Sequence, residues 1–189
     1  MKKNFAILAV ATALLVSACS FTFNSDDHDS GMMHNSDNID YSVYDANALM
    51  FAQMMIPHHE QAVVMSDLAL EISENEVIRQ LATEIKSAQS PEIEQMTSWL
   101  TTAGAPTSMG MDHNMPMQGM LTDEQLAELG TLSGAEFDRA FLEAMIEHHE
   151  GAIVMTQMIE NSDNSEVAAL ATAIITAQQA EIDFMKSLL

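Results

Sequence analysis

Met55-Ile56-Pro57-His58-His59-Glu60 and Met145-Ile146-Glu147-His148-His149-Glu150 are two copies of one phrase. Each is followed, on the same spacing, by a small residue and a methionine: Ala62 and Met65 in the first copy, Ala152 and Met155 in the second. On a helix of 3.6 residues per turn, positions i, i+4 and i+7 share a face. His58, Ala62 and Met65 therefore form one stripe, and His148, Ala152 and Met155 another. An imidazole and a thioether on one stripe, with a small side chain leaving room between them, suit a soft metal ion. The phrase reads as a metal-binding site made twice. His58 and His59 differ by about 100° around such a helix, so both cannot face the bundle axis. One faces inward with Met65, and the other faces Met55 and a neighbouring helix.

The repeat reaches beyond the phrase. Phe51 matches Phe141, and after one gap Gln89-x-x-Glu92-Ile93-x-x-Met96 matches Gln178-x-x-Glu181-Ile182-x-x-Met185. Gln89, Glu92 and Met96 again share a helical stripe, as do Gln178, Glu181 and Met185. Each half is a helical hairpin, with His-His-Glu on its first helix and Gln-x-x-Glu-Ile-x-x-Met on its second. A hairpin of this size cannot bury its apolar faces alone, so the halves pack together. The expected fold is all-α: a four-helix bundle with a pseudo-twofold axis, plus a short connector helix.

Apolar residues recur at a helical period from Tyr41 to Ser73, with Pro57 inside the run, where a missing N–H and a steric clash predict a kink or a join. Ser73-Glu74-Asn75-Glu76 has the spacing of a capping box and predicts a second helix from about Glu74 to Thr102, interrupted at Pro91 and closed by Gly104 and Pro106. Thr122-Asp123-Glu124-Gln125 opens a short helix to about Leu129. Ser133-Gly134-Ala135-Glu136 opens a third long helix to about Glu160. After a turn at Asn161 to Asn164, the last helix runs from about Ser165 to Leu189.

Between the halves, Ala105 to Met120 is rich in Gly, Pro and Asn, yet holds Met109, Met111, Met115, Met117 and Met120 together with His113. Methionine on a helix face is usually core filler. A turn-rich polar segment has little core to fill, so these residues read as a metal-gathering segment. Thioether sulfur selects soft ions, which points to copper(I) rather than zinc or iron.

The chain opens with Lys2-Lys3, an apolar run from Phe5 to Val16 and then Ser17-Ala18-Cys19. That is the pattern of a secretory signal over residues 1–18, too short to persist as a spanning helix. Cys19 is the sole cysteine. Its position matches a bacterial lipobox and favours lipidation there over a stray thiol beside an ordinary cleavage site. The expected location is the bacterial cell envelope, with membrane contact through the anchor alone and no disulfide to support the fold. Residues 19–40 read as a flexible acidic tether. Within it His28, Met32, Met33 and His34 form a second candidate metal-gathering cluster, against the alternative of incidental linker histidines.

The bundle domain covers 41–189, with repeat 1 at about 45–103, the connector at 104–121 and repeat 2 at about 122–189. Beyond the signal only Arg79, Lys86, Arg139 and Lys186 oppose 28 carboxylates, a net charge of −24. Such a surface repels phosphate backbones and anionic headgroups, which excludes nucleic acid as a partner, and it concentrates cations.

In these motifs, together with Gly134-x-x-Phe137-Asp138-x-x-Phe141 and the Met-rich connector ending Gly119-Met120, the chain resembles the bacterial domain-of-unknown-function family numbered 305. The likeness covers about Tyr41 to Leu189. It implies a ferritin-like helical fold and copper binding through His and Met, linked to copper tolerance in the periplasm or envelope. Where the second half has Asp138, the first has Ala48. If Asp138 orients a histidine, the two half-sites are not equivalent.

The expected ligands are therefore His58, His59, His148 and His149 with Met65, Met155, Met96, Met185, Met55 and Met145. Gln89, Glu92, Gln178 and Glu181 stand behind them, either fixing imidazole tautomers or bonding helix to helix. Against this, the histidines can be polar core residues and the methionines core filler. A di-iron enzyme needs Glu-x-x-His motifs, and none occurs, so catalysis is not expected. Three functions remain in contention: copper(I) sequestration or transfer, a ferritin-like redox centre, and a metal-free structural or partner-binding lipoprotein. A homo-oligomer or a copper-transfer partner is compatible with the first.

Overall fold

The computed structural model describes residues 39–108 and 117–189, within one compact unit, Asn35–Leu189. The signal, Cys19, the His28, Met32, Met33 and His34 cluster, and Met109, Met111, His113 and Met115 lie outside the described residues. The regular elements of the described part are all helices: α1 (Ala46–Ile72), α2 (Glu76–Ala103), α3 (Asp123–Leu129), α4 (Gly134–Thr156) and α5 (Ser165–Lys186). No helix among the described residues is long and apolar enough to cross a membrane. The bundle begins slightly before its expected start, because Ile39 packs on the core and the Asp40 N–H donates to the Ala103 carbonyl at 2.9 Å.

The helix ends follow from local side-chain chemistry. Asp45 accepts the Ala48 N–H, and Asn75 accepts the Val77 N–H. Asn164 accepts the Glu166 and Val167 N–H groups. The capping box at Thr122 and Gln125 forms as its spacing predicts. Two other expectations fail. Ser73 ends α1 instead of opening α2, because Asn75 offers the better placed acceptor, and the Ser73 hydroxyl turns to Asp138. Ser133 precedes α4 without any side-chain cap bond. The helix it opens stops at Thr156, short of Glu160. Neither proline breaks its helix: Pro57 lies inside α1 and Pro91 inside α2. A proline in a helix interior costs about 3 kcal/mol. Burial of α1 against both α2 and α4 outweighs it.

α1 packs on α2, α4 on α5, and the two hairpins meet along α1 and α4. Two apolar cores result. One gathers Phe51, Ala52 and Met55 of α1, Met96, Trp99 and Leu100 of α2, Ala152 of α4, and Val167 to Ile174 of α5. The other gathers Ala62, Met65 and Ala69 of α1, Ile78 to Ile85 of α2, Phe137 to Ile146 of α4, and Ile182 and Met185 of α5. The order of the cores along each helix makes α1 and α4 antiparallel. Each fully buried Phe, Leu or Met side chain stabilises the fold by roughly 1.5–3 kcal/mol.

Along all four long helices the residues between the two cores are polar. They are His58 and His59 on α1, Gln89 and Glu92 on α2, His148 and His149 on α4, and Gln178 and Glu181 on α5. The bundle is two apolar blocks with one polar layer between them.

Candidate metal centre

All four histidines of the layer are fully buried. The 100° step between consecutive residues sends them in two directions. His58 and His148 meet between the hairpins, with ring centroids 3.8 Å apart and planes inclined at 42°. His59 turns within its own hairpin and reaches the Glu92 carboxylate, Nε2 to Oε2 at 2.9 Å. His149 does the same with Glu181 at 2.7 Å. The His59–Glu92 and His149–Glu181 contacts are thus near copies.

These contacts determine the tautomers. A carboxylate or a carbonyl can only accept, so the ring nitrogen facing it carries the proton. Nε2–H of His59 donates to Glu92, Nε2–H of His149 donates to Glu181, and Nε2–H of His58 donates to the Gln118 carbonyl at 3.2 Å. In the neutral rings the lone pair is left on Nδ1, and none of the three Nδ1 atoms has a partner. On His148 neither ring nitrogen has one.

Burial pushes the His58 pKa down to about 3, the Gln118 carbonyl opposes this, and a proton on His59 or His149 would push it further down. His148 lies well below the ordinary value, first through burial and then through His58, His149 and His59. The nearby His58 carbonyl pulls the other way without forming a hydrogen bond. Both facing rings are therefore neutral at pH 7 and hold lone pairs ready for an acceptor. A buried polar group left without a partner costs about 1–3 kcal/mol, so the layer lowers stability wherever nothing binds it.

The methionines divide with the cores. Met55 and Met96 are fully buried in one, with Met155 packed against it half-buried. Met65, Met145 and Met185 are fully buried in the other. Each apolar core thus holds methionines from three helices. Among the described residues no three His, Cys, Asp or Glu side chains gather to hold a metal. The donor set combines buried imidazoles with methionines in the two adjoining cores. It fits a soft ion content with imidazole and thioether.

The profile of the family described as "Domain of unknown function (DUF305)" matches residues 48–189. The chain belongs to the DUF305 family. Among solved structures, a DUF305 fragment from Deinococcus radiodurans is 33% identical with a TM-score of 0.70, the match covering 76% of this chain and 95% of that one. A DUF305 protein from Streptomyces coelicolor is 32% identical with a TM-score of 0.70, covering 76% and 90%. CopM in its Cu(II)-bound form is 33% identical with a TM-score of 0.65, covering 75% and 94%. CopM has also been solved in Cu(I)-bound, silver-bound and apo forms. No curated protein sequence matches the chain.

Other residues singled out in this DUF305 sequence fall elsewhere. Asp138 does not orient a histidine: its carboxylate accepts the Ser73 hydroxyl at 2.5 Å, tying the end of α1 to the start of α4. It stands ten residues before His148, roughly 15 Å along the helix. Gln89 is buried with neither amide atom bonded, and Gln178 has an unbonded amide oxygen, so neither amide reaches an imidazole. Met117 and Met120 are half-buried on either side of Gln118 and Gly119.

The strap that residues 117–121 form was not read from the sequence. Gly119, at φ +84°, lies so close to α4 that a Cβ there would overlap the Glu147 carbonyl oxygen. A Cβ on Gly151 would overlap the Gln118 carbonyl oxygen. Gln61 holds the strap's far end, donating to the Leu121 carbonyl and accepting the Leu121 N–H, both at 2.8 Å. The available signal was a break in the repeat, since Gln61 in one half corresponds to Gly151 in the other.

Proposed function

We propose that this protein binds copper(I) inside the bundle, as cargo, between its two hairpins. The observation that carries the reading is the facing pair His58 and His148, buried 3.8 Å apart with three ring nitrogens between them lacking partners. His59 and His149, held by Glu92 and Glu181, supply two further lone pairs. A carboxylate behind an imidazole raises its basicity and fixes its orientation, a common arrangement behind metal-bound histidine. Met55, Met96 and Met155 on one side and Met65, Met145 and Met185 on the other offer thioethers. The copper-bound and silver-bound forms of CopM, at about a third identity over most of both chains, support the same reading.

The role is sequestration or transfer for copper tolerance, not catalysis. The protein is held at the envelope by a lipid on Cys19, and the Met-rich connector and the tether gather the ion. A second reading has one observation in its favour: the His59–Glu92 and His149–Glu181 bonds cross between helices and would serve as clamps in a metal-free bundle.

Competition for copper(I) against a chromophoric chelator separates the two. The copper reading expects the protein to strip the chelator, and expects that capacity to vanish when His58, His59, His148 and His149 are replaced together by Ala. A folded protein that leaves the chelator loaded supports the clamp reading.

A further inference from the structure

We infer that Gln61 is a positioning residue for His58, acting through the strap 117–121; this rests on the copper reading for its purpose, though not for its geometry. The four histidines are held in three different ways. His59 and His149 each have a carboxylate, Glu92 and Glu181, on the second helix of their own hairpin. Neither ring nitrogen of His148 has a hydrogen-bond partner. His58 has a single one, the Gln118 carbonyl, which belongs to a connector and not to a helix.

A backbone carbonyl orients a ring only as firmly as its own segment is held. Three contacts hold this one. Gln61 closes a two-bond ring with the Leu121 backbone, three residues along the strap from Gln118. Gly119 lies against the Glu147 carbonyl. Gly151 leaves the space that the Gln118 carbonyl fills. Gln61 and His58 sit three residues apart on α1, on one face of the helix. The same helix thus carries both the ring and the clamp that brings its acceptor into place. In the other half the corresponding position is Gly151, which receives the strap instead of gripping it. One repeat position has taken two complementary jobs, and the strap passes between them. With Nε2–H engaged by Gln118, the His58 lone pair stays on Nδ1. Without the strap both tautomers become accessible, and part of the population presents the wrong nitrogen.

The test uses the metal-free, full-length 15N-labelled protein in detergent, with ring tautomers read from long-range 1H–15N spectra and silver(I) affinity from chelator competition. Wild type should show His58 as the Nε2–H tautomer. Gln61→Ala and Gly151→Ala should each move His58 towards a mixture, with His59 and His149 unchanged as internal controls. Silver affinity should fall about 10-fold, the lower end of what losing a group behind a metal-bound histidine costs. Gln53→Ala, which removes only the bond to the Pro106 carbonyl at the connector's other end, should change neither reading. If Gly151→Ala does not fold, Gln61→Ala decides alone. An unchanged His58 tautomer in Gln61→Ala, or silver binding equal to wild type, overturns the inference while leaving the copper reading standing. A wild type that binds no silver removes the copper reading, and a tautomer shift in Gln61→Ala would still establish the positioning.

Discussion

The two hairpins agree where His59 meets Glu92 and His149 meets Glu181, and differ in how each is fastened to the connector and to the other. The conserved part is a buried hydrogen bond of nearly equal length, 2.9 and 2.7 Å. The divergent part is what surrounds it. One half grips the strap with Gln61, and the other makes room for it with Gly151. One half buries Ala48 in the core where the other uses Asp138 to fasten Ser73. At the bundle end, Tyr44 stacks on Trp99 with centroids 5.4 Å apart, while the matching positions hold Gly134 and Leu188. The lesson is a division of labour. The duplicated residues form the polar layer proposed to hold copper, and the unduplicated ones fasten the two copies together.

The comparison breaks most visibly at the facing pair. Replacing His58 and His148 together by Ala should weaken silver or copper(I) binding by 100-fold or more in chelator competition, since neither hairpin can supply both rings. Glu92→Gln and Glu181→Gln come next. Each should cost about 10–100-fold in affinity, and by similar factors, because the two bonds are equivalent. A large effect in one half only would mean that the site is not shared between the hairpins.

Stability effects are smaller and should leave metal binding alone. Asp138→Ala strands the Ser73 hydroxyl and should lower unfolding stability by about 1–3 kcal/mol in urea, with silver affinity unchanged. An affinity loss there would restore a role for Asp138 behind a histidine.

The smallest expected effect is at the bundle end. Burial, then the charge and the hydrogen bond of Glu166, raise the Tyr44 pKa to about 12. Glu166 itself lies below the ordinary carboxylate range: burial works against this, and Trp99, Gln95 and Tyr44 as donors more than offset it. The fold therefore favours neutral Tyr44, a contribution complete below the ordinary pH of about 10 and lost as pH rises towards 12. Tyr44→Phe should cost about 0.5–1.5 kcal/mol at pH 7. Relative to wild type, that difference should shrink across the alkaline window.

Much of this was legible in the sequence because it was periodic. The apolar stripes marked the four helices, and the repeated His-His-Glu and Gln-x-x-Glu marked the donors on both hairpins, whereas their gathering into one layer between two cores shows only in the packing. What escaped depended on contacts distant along the chain. Pro57 and Pro91 are helix breakers locally, yet packing across the bundle holds both helices continuous. Ser73 fits a capping box until Asp138, 65 residues on, competes for its hydroxyl. Gln89 and Gln178 matched in pattern with Glu92 and Glu181, but only the carboxylates reach an imidazole. The strap was hardest to see, since a backbone carbonyl leaves no side-chain signature and only the mismatch of Gln61 with Gly151 betrays it.

The central claim is that His58 and His148 meet in order to share an ion. Adding one equivalent of silver(I) to the 15N-labelled protein and following the ring nitrogens tests it most directly. The account predicts that His58 Nδ1 and a His148 ring nitrogen shift together and saturate at the same ratio. Shifts confined to His28, His34 and His113, with the buried rings unmoved, would contradict it.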